Sequence, residues 1–227
     1  MDNKKPFENE VHLEQSFDEI NKNICSAGRY NFFGLPMDQV PRALSVINSL
    51  LVLSKPEKIL EFGTGSGGLS VLLSIYSSLN GIQFNTYDAG VYNQNVIRHL
   101  KDPSCFRWAL LDKENVKEEI KHTILQSTRG PVILFCDALK SVEFDYYSDF
   151  CKKGDFLLVH DYCAEMGGEK FKEVSQKTGW SAPQEQHYGN LKAACERNGI
   201  IPFMHDEFEN ALWFCGVKTH ERKKDIL

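Results

Sequence analysis

Two rhythms of hydrophobic and polar positions alternate along this chain. Pro131–Cys136 and Phe156–Val159 are continuously apolar, as strands covered on both faces are. Shorter strands are expected at Ile59–Phe62, Ile82–Tyr87 and Phe106–Leu110. Between them the apolar positions recur at helical spacing. Val40, Leu44, Ile47, Leu50 and Leu51 stripe a helix over Val40–Leu53, and Leu69, Leu72, Leu73, Tyr76 and Leu79 stripe the next, with Gly81 as its stop. Val116, Ile120 and Ile124 mark a third, which Asp112 could cap. Further helices are expected near Glu143–Cys151, Glu169–Lys177 and Tyr188–Arg197, and a weak one over Asn93–Leu100. Ile200–Phe208 and Leu212–Val217, around a turn at Glu209-Asn210, read as a closing hairpin. Ahead of all this, Glu10–Ile24 carries a roughly helical stripe, and Asn31–Pro36 reads as a loop with two adjacent aromatics.

Alternating strands and helices followed by a hairpin predict an α/β fold. The expected form is a doubly wound, Rossmann-like, seven-stranded sheet, mostly parallel with a C-terminal antiparallel hairpin, plus an N-terminal helical cap. The expected organisation is a cap over residues 1–39, one domain over 40–220 and a tail over 221–227. The chain's 227 residues suit a single core. A net charge of −5 without a long basic block disfavours nucleic acid as substrate. No apolar run is long enough to span a bilayer, and Met1–Glu10 lacks the apolar core of a signal peptide. Seven cysteines without C-x-x-C spacing indicate neither a zinc site nor a disulfide framework. A cytoplasmic location is therefore expected, with the oligomeric state left open, a homo-oligomer included.

Ligands of such sheets bind beyond the carboxyl ends of the strands. Glu61, Asp88, Asp112, Asp137, His160 and Asp161 all fall at or just past expected strand ends. The first of these ends is the most informative: KILEFGTGSGGLS, residues 58–70, reads as strand, glycine-rich turn and helix start. Gly63, Gly65 and Gly67, with Thr64 and Ser66 between them, are expected to leave the backbone open to a ligand at a helix N-terminus. Gly63, Gly65 and Gly68 also satisfy the dinucleotide spacing G-x-G-x-x-G, a weak signal by itself. Glu61 separates the alternatives, because a carboxylate there works against a pyrophosphate and suits a cofactor with a positive centre. S-Adenosylmethionine carries an ammonium and a sulfonium. Asp88 can accept from ribose hydroxyls in either kind of site; Asp112 is open to an adenine contact or a plain helix cap.

A second cluster lies two strands on. Asp137-Ala138-Leu139-Lys140 follows one buried strand and His160-Asp161 the next. Asp137 and Asp161 would be two carboxylates in one cleft, whose repulsion calls for a cation, most simply a divalent ion.

The segment E-F-G-T-G-S-G (Glu61–Gly67) resembles the first motif of the class I methyltransferases. D-x-x-K at Asp137–Lys140, with an acidic position after the following strand, resembles the metal-dependent, catechol-type O-methyltransferases. G-D-F-L-L-V-H-D (Gly154–Asp161) resembles the macrocin and cephalosporin-biosynthesis methyltransferase group, which usually has D-x-x-H where this chain has Asp137 and Lys140. The resemblance runs from about Leu35 to Val217. It implies methyl transfer from S-adenosyl-L-methionine to a hydroxyl of a small-molecule acceptor, assisted by a divalent metal. Cofactor binding then falls to Glu61, Gly63, Thr64, Gly65, Ser66, Gly67, Asp88 and Asp112, and metal binding to Asp137, His160 and Asp161. Lys140 would take the acceptor's proton, with burial and the dication lowering its pKa. His160 departs from the catechol-type pattern. It is open to four roles: turned away with Mg2+ held by oxygens, ligand of a softer ion such as Mn2+, general base in place of Lys140, or strand-end packing. Phe32, Phe33, Trp180, His187 and Tyr188 are candidates to cover the cleft. A nicotinamide-dependent oxidoreductase and a catalytically inactive cofactor-binding module are the competing readings.

Overall fold

The computed structural model describes residues 30–32, 35–89, 105–108, 111–165, 168–169, 172–173, 176 and 184–222. The helices expected at Glu10–Ile24 and Asn93–Leu100, and Phe33 and Trp180, lie outside them. Seven strands form one sheet in the order β5-β4-β3-β6-β7-β9-β8. They are β3 (Lys58–Phe62), β4 (Gln83–Asp88), β5 (Phe106–Trp108), β6 (Val132–Cys136), β7 (Phe156–His160), β8 (Ile200–Pro202) and β9 (Trp213–Lys218). β5, β4, β3, β6 and β7 run parallel, and β9 is antiparallel to both its neighbours. The chain reverses its winding at β3, whose end therefore opens on the crevice where such sheets bind ligands.

Side-chain parity along the strands divides the core in two. Ile59, Ile133, Phe135, Leu158, Trp213 and Cys215 face helices α1 (Pro41–Ser54) and α2 (Gly68–Asn80). Leu60, Phe62, Leu134, Cys136, Leu157, Val159 and Phe214 face the side that holds α3 (Glu114–Leu125), α4 (Ser141–Ser148) and α5 (Tyr188–Asn198). The three middle strands are buried at every position, which is why their sequences are nearly all apolar.

The structure departs from the sequence reading in three places. Asn31–Pro36 is not a loop throughout: β1 (Tyr30–Phe32) pairs antiparallel with β2 (Leu35–Met37). The closing hairpin is not a tight one. β8 stops at Pro202, the Phe203 N–H makes a last hydrogen bond to the Cys215 carbonyl at 2.8 Å, and α6 (His205–Glu209) intervenes before β9. Asp112 does not cap α3; Lys113 holds that position, its carbonyl accepting from the Val116 N–H, and Asp112 is exposed. Gly81 ends α2 in the left-handed conformation, as expected.

Candidate functional site

The turn after β3 is held by the neighbouring strand ends. The Gly63 N–H donates to the Tyr87 carbonyl at 2.8 Å, and the Gly65 N–H to Asp88 Oδ2 at 2.8 Å. Beneath the turn, the Thr64 and Thr86 hydroxyls share a hydrogen bond of 2.6 Å. The glycines differ in purpose. A Cβ on Gly65 would meet nothing within 4 Å, so this residue leaves open space. A Cβ on Gly63 would lie 2.9 Å from the Asp137 carbonyl, and one on Gly68 2.6 Å from Met37 Cβ. Besides its expected place at the turn, Gly63 therefore lets the ends of β3 and β6 approach.

Met37, Asp38, Gln39, Glu61, Gly63–Leu69 and Asp137 line a cleft of about 270 Å³ over this turn. Glu61 shares the parity of Ile59 and so points under α2, where the Ser70 hydroxyl donates to its Oε2 at 2.5 Å. The group is 1% exposed. Burial, opposed by the Ser70 and Thr86 hydroxyls and assisted by Asp137 and Asp88, pushes its pKa up to about 8. Burial thus favours the protonated, neutral form of Glu61 at pH 7. A cation placed beside it would draw it back to the carboxylate. At the mouth, Ser66 Oγ donates to Asp38 Oδ2 at 2.9 Å.

The second cluster follows from sheet register. Cys136 pairs with Val159, so the next residues, Asp137 and His160, emerge side by side. His160 Nδ1 lies 2.8 Å from Asp137 Oδ1 and 3.6 Å from Asp161 Oδ1. One ligand atom from each of Asp137, His160 and Asp161 lies within 4.8 Å of the other two. β9 supplies a floor: Trp213 is the register partner of His160, and their rings tilt together at 4.6 Å. Trp213 Nε1 donates to Gln39 Oε1 at 2.8 Å, and Gln39 Nε2 donates to Asp137 Oδ2 at 3.2 Å. Asp137, His160, Trp213 and Gln39 thus form a closed ring of contacts. Burial disfavours charge on His160, but Asp137 and Asp161 outweigh it and raise its pKa above the ordinary value.

Lys140 is buried at the start of α4, with its backbone at φ 51 and ψ −106. Asp161 also has a positive φ, 55°. Non-glycine residues rarely adopt such angles, and their concentration at a site is a mark of function. Lys140 Nζ donates to Asp161 Oδ2 at 2.5 Å and to Glu185 Oε2. Burial would lower its pKa, yet the Asp161, Glu185 and Asp137 carboxylates prevail and raise it. The lowering expected of this lysine depends on a bound dication as well as on burial, and these carboxylates act against it. The repulsion between Asp137 and Asp161 is met here by built-in partners, His160 for one and Lys140 for the other. Among the described residues, the buried Asp161 Oδ1 has no hydrogen-bond partner.

All the expected site residues except Asp112 gather at the carboxyl edge of β3, β4, β6 and β7, and Asp112 stands exposed beyond β5. His187 is the N-cap of α5, its backbone N–H donating to Asn190 Oδ1 at 3.0 Å, and Tyr188 packs on the core rather than over the cleft. Gln39, Glu185, Asp38 and Trp213 were not singled out from the sequence. Each reaches the site from a distant segment and carries no local motif.

No family model and no curated protein matches the sequence. Two solved structures of CmcI share its fold. An apo-structure aligns with a TM-score of 0.57 at 15% identity, over 84% of this chain and 76% of that one. A structure described as Mg-SAM aligns with a TM-score of 0.52 at 15% identity, over 83% and 76%. The shared fold is a Rossmann-like sheet with an antiparallel β9 between β7 and β8 and a glycine-rich turn after β3.

Proposed function

We propose that this protein is an S-adenosylmethionine-dependent O-methyltransferase acting on a hydroxyl of a small molecule, with a divalent metal at Asp137, His160 and Asp161. The observation that carries the reading is the double position of Asp137. It lines the cleft that contains Glu61 and it belongs to the three-ligand cluster. A methyl donor in the cleft and a hydroxyl at the cluster would therefore be neighbours.

The residues suit both groups. The open face of Gly65 and the buried acid at Glu61 fit a phosphate-free cofactor with an ammonium, while Asp88, fixed by the Gly65 N–H, is placed for ribose hydroxyls. The open Oδ1 of Asp161 and the imidazole of His160 give a mixed oxygen and nitrogen donor set, which accommodates Mn2+ as well as Mg2+. S-Adenosylmethionine supplies the electrophilic methyl group, and a bound dication supplies Lewis acidity that lowers the pKa of the acceptor hydroxyl.

The chain's own part is to hold and to shield. The ring of Asp137, His160, Trp213 and Gln39 fixes the cluster at the cleft wall, and such positioning carries much of the acceleration in a two-substrate transfer. The hydroxyl proton is assigned to Lys140 Nζ, which can take it only as the neutral amine and not as the ammonium that Asp161 and Glu185 hold, with His160 as the competing site. Lys140→Met and His160→Ala decide between them: the assignment stands if loss of Lys140 is the more damaging to turnover at unchanged cofactor affinity, and moves to His160 if the order is reversed.

The direct test is calorimetric titration with S-adenosylhomocysteine, with magnesium and again with chelator. Micromolar binding, about −8 kcal/mol, supports the cofactor assignment; no binding in either buffer refutes it. Asp137→Ala or Asp161→Ala should then abolish metal-stimulated transfer to a panel of hydroxylated acceptors. Full activity in either variant removes the metal from the reading.

A further inference from the structure

Glu185 stands on a fixed piece of backbone beside the cluster. Its N–H and that of Gln186 both donate to the Asp161 carbonyl, at 3.1 and 3.0 Å, and the Cys163 N–H donates to the Gln186 carbonyl at 3.1 Å. Tyr162 and Gln186 form a parallel bridge. The Gln184 side-chain amide donates to the carbonyls of Cys163, Glu165 and Gln186. The strand end that carries Asp161 therefore also carries the Glu185 carboxylate.

Lys140 Nζ lies between these two carboxylates. One belongs to the three-ligand cluster and the other does not. An ammonium has three donors, so it can keep Glu185 while releasing Asp161. A dication at the cluster and the Lys140 ammonium would compete for the same Asp161 carboxylate, and at such distances they would repel each other strongly.

We propose that Lys140 is the internal counter-ion of Asp161, and that Glu185 is a positioning residue which receives the ammonium when a divalent cation claims Asp161. This deepens the metal-assisted reading above and rests on it. It also gives the unusual backbone of Lys140 a purpose. At the N-cap of α4, that backbone carries a side chain whose Nζ reaches both Asp161 and Glu185.

The test is a titration of the full chain with Mn2+ alone, followed by loss of the free-ion electron paramagnetic resonance signal. Wild type is compared with Lys140→Met, Glu185→Gln and the double variant. Lys140→Met should bind Mn2+ about tenfold more tightly, because a competing positive charge is gone. Glu185→Gln should bind it several-fold more weakly, because the ammonium has lost its second berth. The double variant should match Lys140→Met, since Glu185 acts only through the lysine. Lys140→Gln carries the same prediction if the methionine variant does not fold. Unchanged or weaker binding in the lysine variants, with wild type binding normally, overturns the inference alone. An equal loss from Glu185→Gln in both backgrounds also overturns it and makes Glu185 a ligand or a distant charge. Absence of Mn2+ binding in every form overturns the metal reading and this inference together.

Discussion

Replacing Glu61 by glutamine should stabilise the protein in neutral and alkaline solution while weakening its hold on the cofactor. The carboxyl is 1% exposed, and burial raises its pKa from 4.5 to about 8. The sign follows from linkage. Below pH 4.5 the acid is protonated in the folded and unfolded chain alike, and it contributes nothing to the pH dependence. Between 4.5 and 8 the unfolded chain gives up the proton and the folded chain keeps it, so stability falls by about 1.4 kcal/mol per pH unit. By pH 7 the cost is about 3 kcal/mol, and above pH 8 the slope disappears. Glu143, buried and likewise raised to about 8, adds a second slope of the same sign. Glutamine keeps a polar partner for the Ser70 hydroxyl and cannot ionise. Urea unfolding at pH 5, 6, 7 and 8 would show the advantage of Glu61→Gln widening steadily, with the Glu143 slope remaining. A stability difference that stays constant over that range would refute the argument, because it would mean that Glu61 ionises as an ordinary surface acid. The same proton should leave when S-adenosylmethionine binds. The binding heat of wild type should then vary with the ionisation enthalpy of the buffer, and that of the variant should not.

Gly63→Ala combines a positive φ of 98° with a Cβ 2.9 Å from the Asp137 carbonyl, and should cost about 3 kcal/mol or more in urea unfolding. Gly65→Ala has a positive φ but open space, and should cost only about 1 kcal/mol while weakening S-adenosylhomocysteine binding; equal stability losses would refute the distinction. Gln39→Ala leaves the buried Trp213 Nε1 without its acceptor and frees Asp137 Oδ2, so a loss of about 1–3 kcal/mol is expected in the same assay.

The fold was legible because its middle strands are buried on both faces. Val132–Cys136 and Phe156–His160 have no room for polar alternation, so their apolar runs announce themselves. The candidate ligands were legible because the apolar runs of β6 and β7 end at Asp137 and at His160-Asp161. What stayed hidden depends on tertiary approach. Nothing near Gln39 shows that it will bridge Trp213 to Asp137, and nothing near Glu185 shows that it will meet Lys140. The charge balance at Lys140 was hidden for the same reason: burial alone argues downwards, and Glu185, which with Asp161 opposes it, comes from another segment. The hairpin was misjudged because Ile200–Phe208 was read as one strand, while the short α6 takes its second half.

The strand order also dictates when the site can exist during folding. Phe62 must find Tyr87 for the cofactor turn to form, a short search along the chain, but must find Cys136 before Asp137 arrives beside Gly63. Longer loops close more slowly. A chain emerging in order can therefore assemble the glycine turn and Asp88 first. It gains the acid–histidine cluster only after β6 and β7 dock, and its floor only when Trp213 on β9 closes the sheet. Until then Asp137 lacks His160 as its counter-charge, so the late strands complete both the chemistry and its electrostatic balance.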